Sequence, residues 1–239
     1  MSSSSRDLEY IGSELELFAE AVNWRAYWQR QAAPFVGRRV LEVGAGIGTV
    51  TRDLCRSPVE HWVALEPDLA MATQLAADRQ TGRLPAMCEP RHGTTETLGP
   101  QESFDTVLYI DVLEHIEDDQ AEMARVAQHL TPGGHLVVLA PAHQALYTPF
   151  DGSIGHFRRY GMARLLTVGV AGMRVCRARY LDSVGLLALL GNWLLLRSAQ
   201  PNRRQISLWD RLMVRSSRRL DPLFGYRLGK SILVVWRKA

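Results

Sequence analysis

No stretch of this 239-residue chain stays apolar for the roughly 20 residues that a bilayer-spanning helix needs. The longest candidate, Val184 to Leu196, is interrupted by Gly185, Gly191 and Asn192. Cysteine is scarce and unpatterned: Cys55, Cys88 and Cys176, with no Cys-x-x-Cys pair. That excludes a disulfide framework and a cysteine-built metal ribbon. It predicts free thiols in a reducing compartment, buried as small apolar side chains. Neither sign of charge dominates. A net charge of +3 is too slight to argue for nucleic acid. With 46% hydrophobic and 22% charged residues, the chain is neither disordered nor short of core. The opening Met1-Ser2-Ser3-Ser4-Ser5-Arg6 has no apolar centre and reads as a frayed tail rather than a signal peptide. A cytoplasmic location is the expectation.

What the chain does contain is alternation of short apolar runs with amphipathic stretches. Leu15 to Gln31 has helical spacing and ends before Pro34. Strands are predicted over 39–43, 61–65, 86–91, 104–110 and 134–140, with helices from Thr49, from the cap Asp68, and over 117–130. This rhythm predicts a parallel sheet covered on both faces. After Pro141 the rhythm changes to a polar, aromatic loop over 142–159. A helix over 160–171, a strand over 174–180, helices over about 183–198 and 206–219, and a last strand over 231–237 follow. The expected organisation is an N-terminal helical segment (1–34), a cofactor-binding core (35–182), a helical insert on the substrate side (183–230) and a final core strand (231–239).

The chemistry begins where the first strand opens into a helix. Gly44, Gly46 and Gly48 follow Val40-Leu41-Glu42-Val43, with Ala45 and Ile47 between them. Glycines there let a ligand approach the backbone. The spacing is not the dinucleotide Gly-x-Gly-x-x-Gly pattern. Glu66, about 20 residues on at the end of the next strand, is placed to accept ribose hydroxyls. Glu42 opposes a pyrophosphate and suits a ligand carrying sulfonium and ammonium charges. It also fits a structural acid bonded to the loop amides.

Four segments in order resemble the motifs of class I S-adenosylmethionine-dependent methyltransferases. They are Val40 to Gly48, Ala64-Leu65-Glu66-Pro67-Asp68, Phe104 to Ile116 (ending Asp111-Val112-Leu113-Glu114-His115-Ile116), and Leu130 to Val138. The resemblance implies a doubly wound, Rossmann-like, seven-stranded and mostly parallel α/β sheet whose last strand is antiparallel. It implies S-adenosylmethionine as cofactor and S-adenosylhomocysteine as product. Gly44, Ala45 and Gly46 would then meet the methionine portion and Glu66 the ribose, with Pro67 beside it. His92-Gly93-Thr94-Thr95 would lie on the adenine side, where many members carry an acid and this chain offers Thr94. Asp111 would sit at the sulfonium end. Tyr27 or Trp28 would cover the cofactor.

Two places could hold the groups that act on an acceptor. Asp111, Glu114 and His115 could ligate Mg²⁺ or Zn²⁺ with a later His143 or His156, as in some small-RNA and quinone-precursor methyltransferases that this arrangement resembles. Alternatively, Glu114 and His115 pack and bond the loop, and no metal is involved. The second place is the 142–160 loop. Its run Gly155-His156-Phe157-Arg158-Arg159-Tyr160 resembles a small-molecule subgroup with a Gly-His-x-Arg-Arg-Tyr pattern. His156, His143 and Tyr147 are its candidates for base or orienting group. Arg158, Arg159 and Tyr160 could equally lock the loop, with His156 capping the next helix.

From Arg197 to Arg219 there are seven arginines and one acid, Asp210, interleaved with apolar residues. A helix pair with a solvated basic face over the acceptor site is favoured over a membrane surface. An anionic or amphiphilic acceptor fits it. The expected function is methyl transfer to oxygen, nitrogen or carbon of a small organic molecule, of the natural-product or secondary-metabolism kind. Two others stand beside it: metal-assisted 2′-O- or catechol-type methylation through Asp111, Glu114 and His115, and a non-catalytic cofactor-binding subunit that activates a partner.

Overall fold

A computed structural model describes residues 14–56, 58–169, 172–191 and 202–239. The expected frayed tail and the second half of the helix expected over 183–198 lie outside these residues. Seven strands form one sheet: β1 (Arg39–Val43), β2 (His61–Glu66), β3 (Cys88–His92), β4 (Phe104–Ile110), β5 (Leu130–Pro141), β6 (Met173–Leu181) and β7 (Ser231–Lys238). Their order is β3-β2-β1-β4-β5-β7-β6. The pairs from β3 through β5 are parallel, and β7 runs antiparallel to both neighbours. The parallel part is what the strand–helix alternation predicts, and the Rossmann-like sheet with an antiparallel β7 is what the resemblance implies.

Alternation of side chains along each strand builds two cores. Val40, Trp62, Ala64, Leu108, Leu139 and Leu233 face one layer; Leu41, Val63, Leu65, Val107, Val138 and Val234 face the other. The first layer is closed by α2 (Val22–Ala32), through Trp24, Tyr27 and Trp28, and by the insert, through Ile206, Trp209 and Val214. The second is closed by α5 (Asp119–Gln128), through Met123 and Val126, together with Leu165 and Val168. Cys55 and Cys88 are buried as expected, but Cys176 is exposed, because it lies on β6 at the sheet's edge.

The boundaries differ from the sequence expectation in three informative places. The single helix expected over 15–31 is two, α1 (Glu14–Ala19) and α2. The break lets the start of α2 meet Asp210, whose carboxylate accepts from the Trp24 amide (2.8 Å), the Asn23 amide (3.1 Å) and Asn23 Nδ2 (2.7 Å). An acid from the insert thus caps a helix 187 residues away in sequence. Second, β5 begins at Leu130, through Pro132-Gly133-Gly134 rather than after it, with a register shift against β4. Third, the helix expected over 206–219 spans 203–220 and contains a π-helical segment, Trp209–Val214. Asp210→Ala is expected to lose about 2 kcal/mol of stability through this cap and the amides it leaves unpaired. Urea unfolding at constant m-value measures it.

One consequence of the topology positions the site. Because β7 is antiparallel, its first residue lies at the carboxyl edge where β1, β4 and β5 end; Ser231 pairs with Pro141. That edge is where open α/β sheets bind ligands.

Candidate active site

The glycine loop leaves β1 with Gly44, Gly46 and Gly48 all at positive φ. A Cβ on Gly44 would lie 2.6 Å from Val112, so close approach to the residue after Asp111 requires glycine there. A Cβ on Gly46 would meet nothing nearer than Leu15 of α1 at 3.6 Å. Its left-handed backbone and the open space at its Cα leave room for a ligand to approach there. The Gly44 and Ala45 amides both donate to Leu65 O. Glu66, buried at the end of β2, accepts from the Gly46 amide (2.7 Å) through one oxygen and from the Asp68 amide (2.9 Å) through the other. Burial raises its pKa against those two bonds. The loop and the acid are therefore one unit, as their spacing predicts.

Glu42 is 3% exposed. It does not bond the loop amides, correcting that expectation. Its Oε2 accepts from Thr51 Oγ1 and from Trp62 Nε1 at 2.8 Å. Burial pushes it up to about 7 from 4.5, against those two bonds. An acid raised in the folded state contributes stability below its ordinary pKa that is lost as pH rises through the folded one. The loss approaches ~3 kcal/mol between about pH 4.5 and 8. Glu42→Gln is expected to flatten this slope, so its stability relative to wild type improves from pH 5 to 8; denaturation at the two pH values tests it.

On the adenine side, His92 Nε2 binds Pro67 O (3.0 Å), and Thr94 Oγ1 accepts from the Glu96 amide (3.3 Å) as a cap. Tyr27 is buried, with its hydroxyl donating to Asp221 (2.6 Å), so it ties α2 to the insert. Leu15 of α1 is the side chain nearest the open face of Gly46.

Asp111 closes β4 at φ 54, a left-handed conformation that is costly for a non-glycine residue. The residue is exposed at the carboxyl edge of the sheet. The surrounding protein raises its pKa to about 6, against the charges of His156 and Lys230. Next to it, Glu114, His115 and His156 each bring a ligand-type atom within 4.8 Å of the others. Glu114 is 1% exposed, and among the described residues neither carboxylate oxygen has a hydrogen-bond partner. Burial, then the charge of Asp111, drives its pKa well above the usual range. The His115 and His156 rings meet edge to face at 4.6 Å. Burial, then His156, lowers His115 to about 4. His156 Nδ1 lies 3.1 Å from Asp151, and its Nε2 lies 3.9 Å from Glu114. Since a carboxylate only accepts, Nδ1 carries a proton toward Asp151, and Nε2 is the ring nitrogen turned toward Glu114.

The 142–160 loop explains how His156 is held. Its short helix α6 (Pro149–Ser153) is capped by Thr148 and Asp151. Asp151 also receives a bidentate pair from Arg159 (2.7 and 3.0 Å). Burial alone would raise Asp151, but these donors hold it below the ordinary carboxylate range. Arg158 donates to the carbonyls of Ile116 and Glu117, and Tyr160 OH to Asp119 (2.9 Å). These residues lock the loop against the segment after β4. Tyr147 donates to His156 O (2.6 Å). His143, at φ 67, binds Gly229 O (2.9 Å) and stacks on Tyr180. The three candidate bases therefore do not converge. His156 joins Glu114 and His115, whereas Tyr147 and His143 are engaged with backbone elsewhere.

Residues 41–136 match the family described as a methyltransferase domain. The ubiquinone biosynthesis O-methyltransferase of Paramagnetospirillum magneticum is 35% identical over 101 residues, which are 42% of this chain and 39% of that protein. The chain thus spans about two fifths of the length of such curated relatives. In fold it resembles coclaurine N-methyltransferase bound to N-methylheliamine and S-adenosylhomocysteine (TM-score 0.62, 15% identity, 91% of this chain and 72% of that one). It also resembles the [4+2]-cyclase SpnF (TM-score 0.62, 15% identity, 95% and 94%). The chain therefore shares the Rossmann-like fold of these proteins.

Lys230, the last residue of the expected substrate-side insert, was not singled out by its sequence. The available signal was the implied antiparallel last strand, which brings the residue before Ser231 to the ligand edge.

Proposed function

We propose that the chain is an S-adenosylmethionine-dependent O-methyltransferase for a small catechol-type acceptor, assisted by a divalent cation at Glu114, His115 and His156. The observation that carries it is Glu114: a buried carboxylate with both oxygens unpartnered, beside two imidazoles. Such a group is costly unless something completes it. Two imidazoles and a carboxylate suit Zn²⁺ or Mn²⁺ better than Mg²⁺. Asp151 fixes the His156 tautomer from behind, as outer-shell carboxylates do for metal-bound histidines.

In this reading the Gly44–Gly46 backbone receives the methionine portion, Glu66 the ribose hydroxyls, and the His92–Thr94 loop the adenine side. Asp111 borders the methyl-bearing end. A cation held by Glu114, His115 and His156 would supply Lewis acidity that favours the ionised form of an acceptor hydroxyl near neutral pH. The residues of the chain then align that oxygen with the donor methyl, and this positioning supplies much of the rate. The name of the curated relatives favours oxygen as the acceptor atom. No cysteine, and neither His143 nor Tyr147, is required. The purified chain with S-adenosylmethionine, Mn²⁺ and catechol is expected to yield singly O-methylated product by mass spectrometry, and EDTA to suppress it. Product formation unaffected by EDTA would reject the metal, and no product from metal-loaded protein with a panel of catechols would reject the reaction.

A further inference from the structure

Lys230 is the least expected charge in the cleft. It precedes β7, with its backbone pinned on both sides: its carbonyl accepts from the Ala142 amide (2.8 Å) and its amide donates to Asp182 O (3.2 Å). Its ammonium lies 3.6 Å from the centre of the Trp209 ring and 5.9 Å from that of Trp24. The nearest carboxylate oxygen, Asp182 Oδ2, is 3.9 Å away, and Nζ makes no hydrogen bond among the described residues. Asp182 does not depend on it. That carboxylate already accepts from the Gly185 amide (3.0 Å), Trp209 Nε1 (2.7 Å) and Ser217 Oγ (2.6 Å). The stem of Lys230 is thus fixed, its charge rests on an aromatic face, and its three donors remain unspent. The side chain is 22% exposed, so a ligand can reach it.

Its place in the sheet says which ligand. The cofactor loop and Glu66 belong to β1 and β2. Lys230 stands at β7, with β4 and β5 between it and β1. That is three strand spacings from the glycine loop, about 14 Å, and two from Asp111, about 10 Å. It therefore faces the acceptor side rather than the methionine carboxylate. The charged groups around it are Asp182 and Asp111 on the acidic side and Arg159 on the basic side. Asp182 is saturated with donors, and Arg159 is paired with Asp151.

We propose that Lys230 is a specificity-determining residue: it receives an anionic group, a carboxylate, at the end of the acceptor remote from the accepting hydroxyl. The proposal rests on the O-methyltransferase reading for the identity of the other end. It makes the acceptor a hydroxylated acid whose two functional ends are about two strand spacings apart, roughly 10 Å.

Caffeate and its uncharged amide are the probes, since they share the catechol and differ only at the remote end. Calorimetry is performed on full-length protein saturated with S-adenosylhomocysteine. Wild type is expected to bind caffeate roughly ten- to a hundredfold more tightly than the amide, as one charge-assisted hydrogen bond predicts. Lys230→Met is expected to remove that preference while leaving the amide affinity unchanged, and Lys230→Arg to restore part of it. Circular dichroism confirms that each variant is folded. A preference that survives in Lys230→Met, an equal loss for both probes, or no caffeate binding by wild type would overturn the assignment. Glu114→Gln protein separates this proposal from the metal reading. It is expected to keep the Lys230-dependent preference even if metal-assisted methylation fails.

Discussion

Glu66→Ala protein is expected to bind S-adenosylmethionine at least a hundredfold more weakly than wild type by calorimetry. Two effects add. The ribose loses an ionised acceptor, and hydrogen bonds to charged groups contribute about 1.5–3 kcal/mol each. The Gly46 amide, at φ 54, also loses the carboxylate that now holds it. The loop would lose part of the preorganisation that spares a ligand the cost of ordering it. Glu66→Gln separates the contributions. An amide has one carbonyl oxygen, so it can hold either the Gly46 or the Asp68 amide but not both. It is expected to bind with intermediate affinity. Unchanged affinity in Glu66→Ala would refute the ribose assignment.

Much of this was legible in sequence because it depends on local chemistry. Glycines at a strand-to-helix turn, an acid one strand later and alternating apolar runs are each readable from a few neighbouring residues. The seven-stranded sheet with an antiparallel last strand follows from the resemblance and is what the structure shows. Less legible was everything set by contacts distant in sequence. Glu42 could be read as a loop-bonding acid, but its partners are Thr51 on the next helix and Trp62 on the next strand. The apparent single helix over 15–31 broke because Asp210 caps its second part from the insert. His143 and His156 were equivalent as letters. Only folding sends one to Tyr180 and the other to Glu114. Gly-His-x-Arg-Arg-Tyr likewise turned out to serve two purposes. Its arginines and tyrosine fasten the loop, and that fastening places its histidine.

Glu114→Gln is expected to move stability and activity in opposite directions. The carboxylate is buried without a hydrogen-bond partner, and its pKa is raised by burial and by Asp111. An acid raised in the folded state contributes stability below its unfolded pKa that is lost as pH rises through the folded value. Glutamine cannot ionise, so the metal-free variant is expected to match wild type in acid and to exceed it increasingly toward pH 8. A ligand that binds only the folded state reverses the comparison. At a hundredfold excess over Kd it stabilises by about 2.7 kcal/mol, several degrees for a chain of this length. Wild type is therefore expected to gain in Tm on adding Mn²⁺ or Zn²⁺ and to return to its starting value with EDTA. The glutamine variant, left with two imidazoles and a neutral amide, is expected to show little gain and to lose catechol methylation. If wild type shows no metal-dependent shift, or the variant shows the same one, Glu114 is not a ligand. Its unpaired burial would then be a cost to folding with no bound cation to offset it.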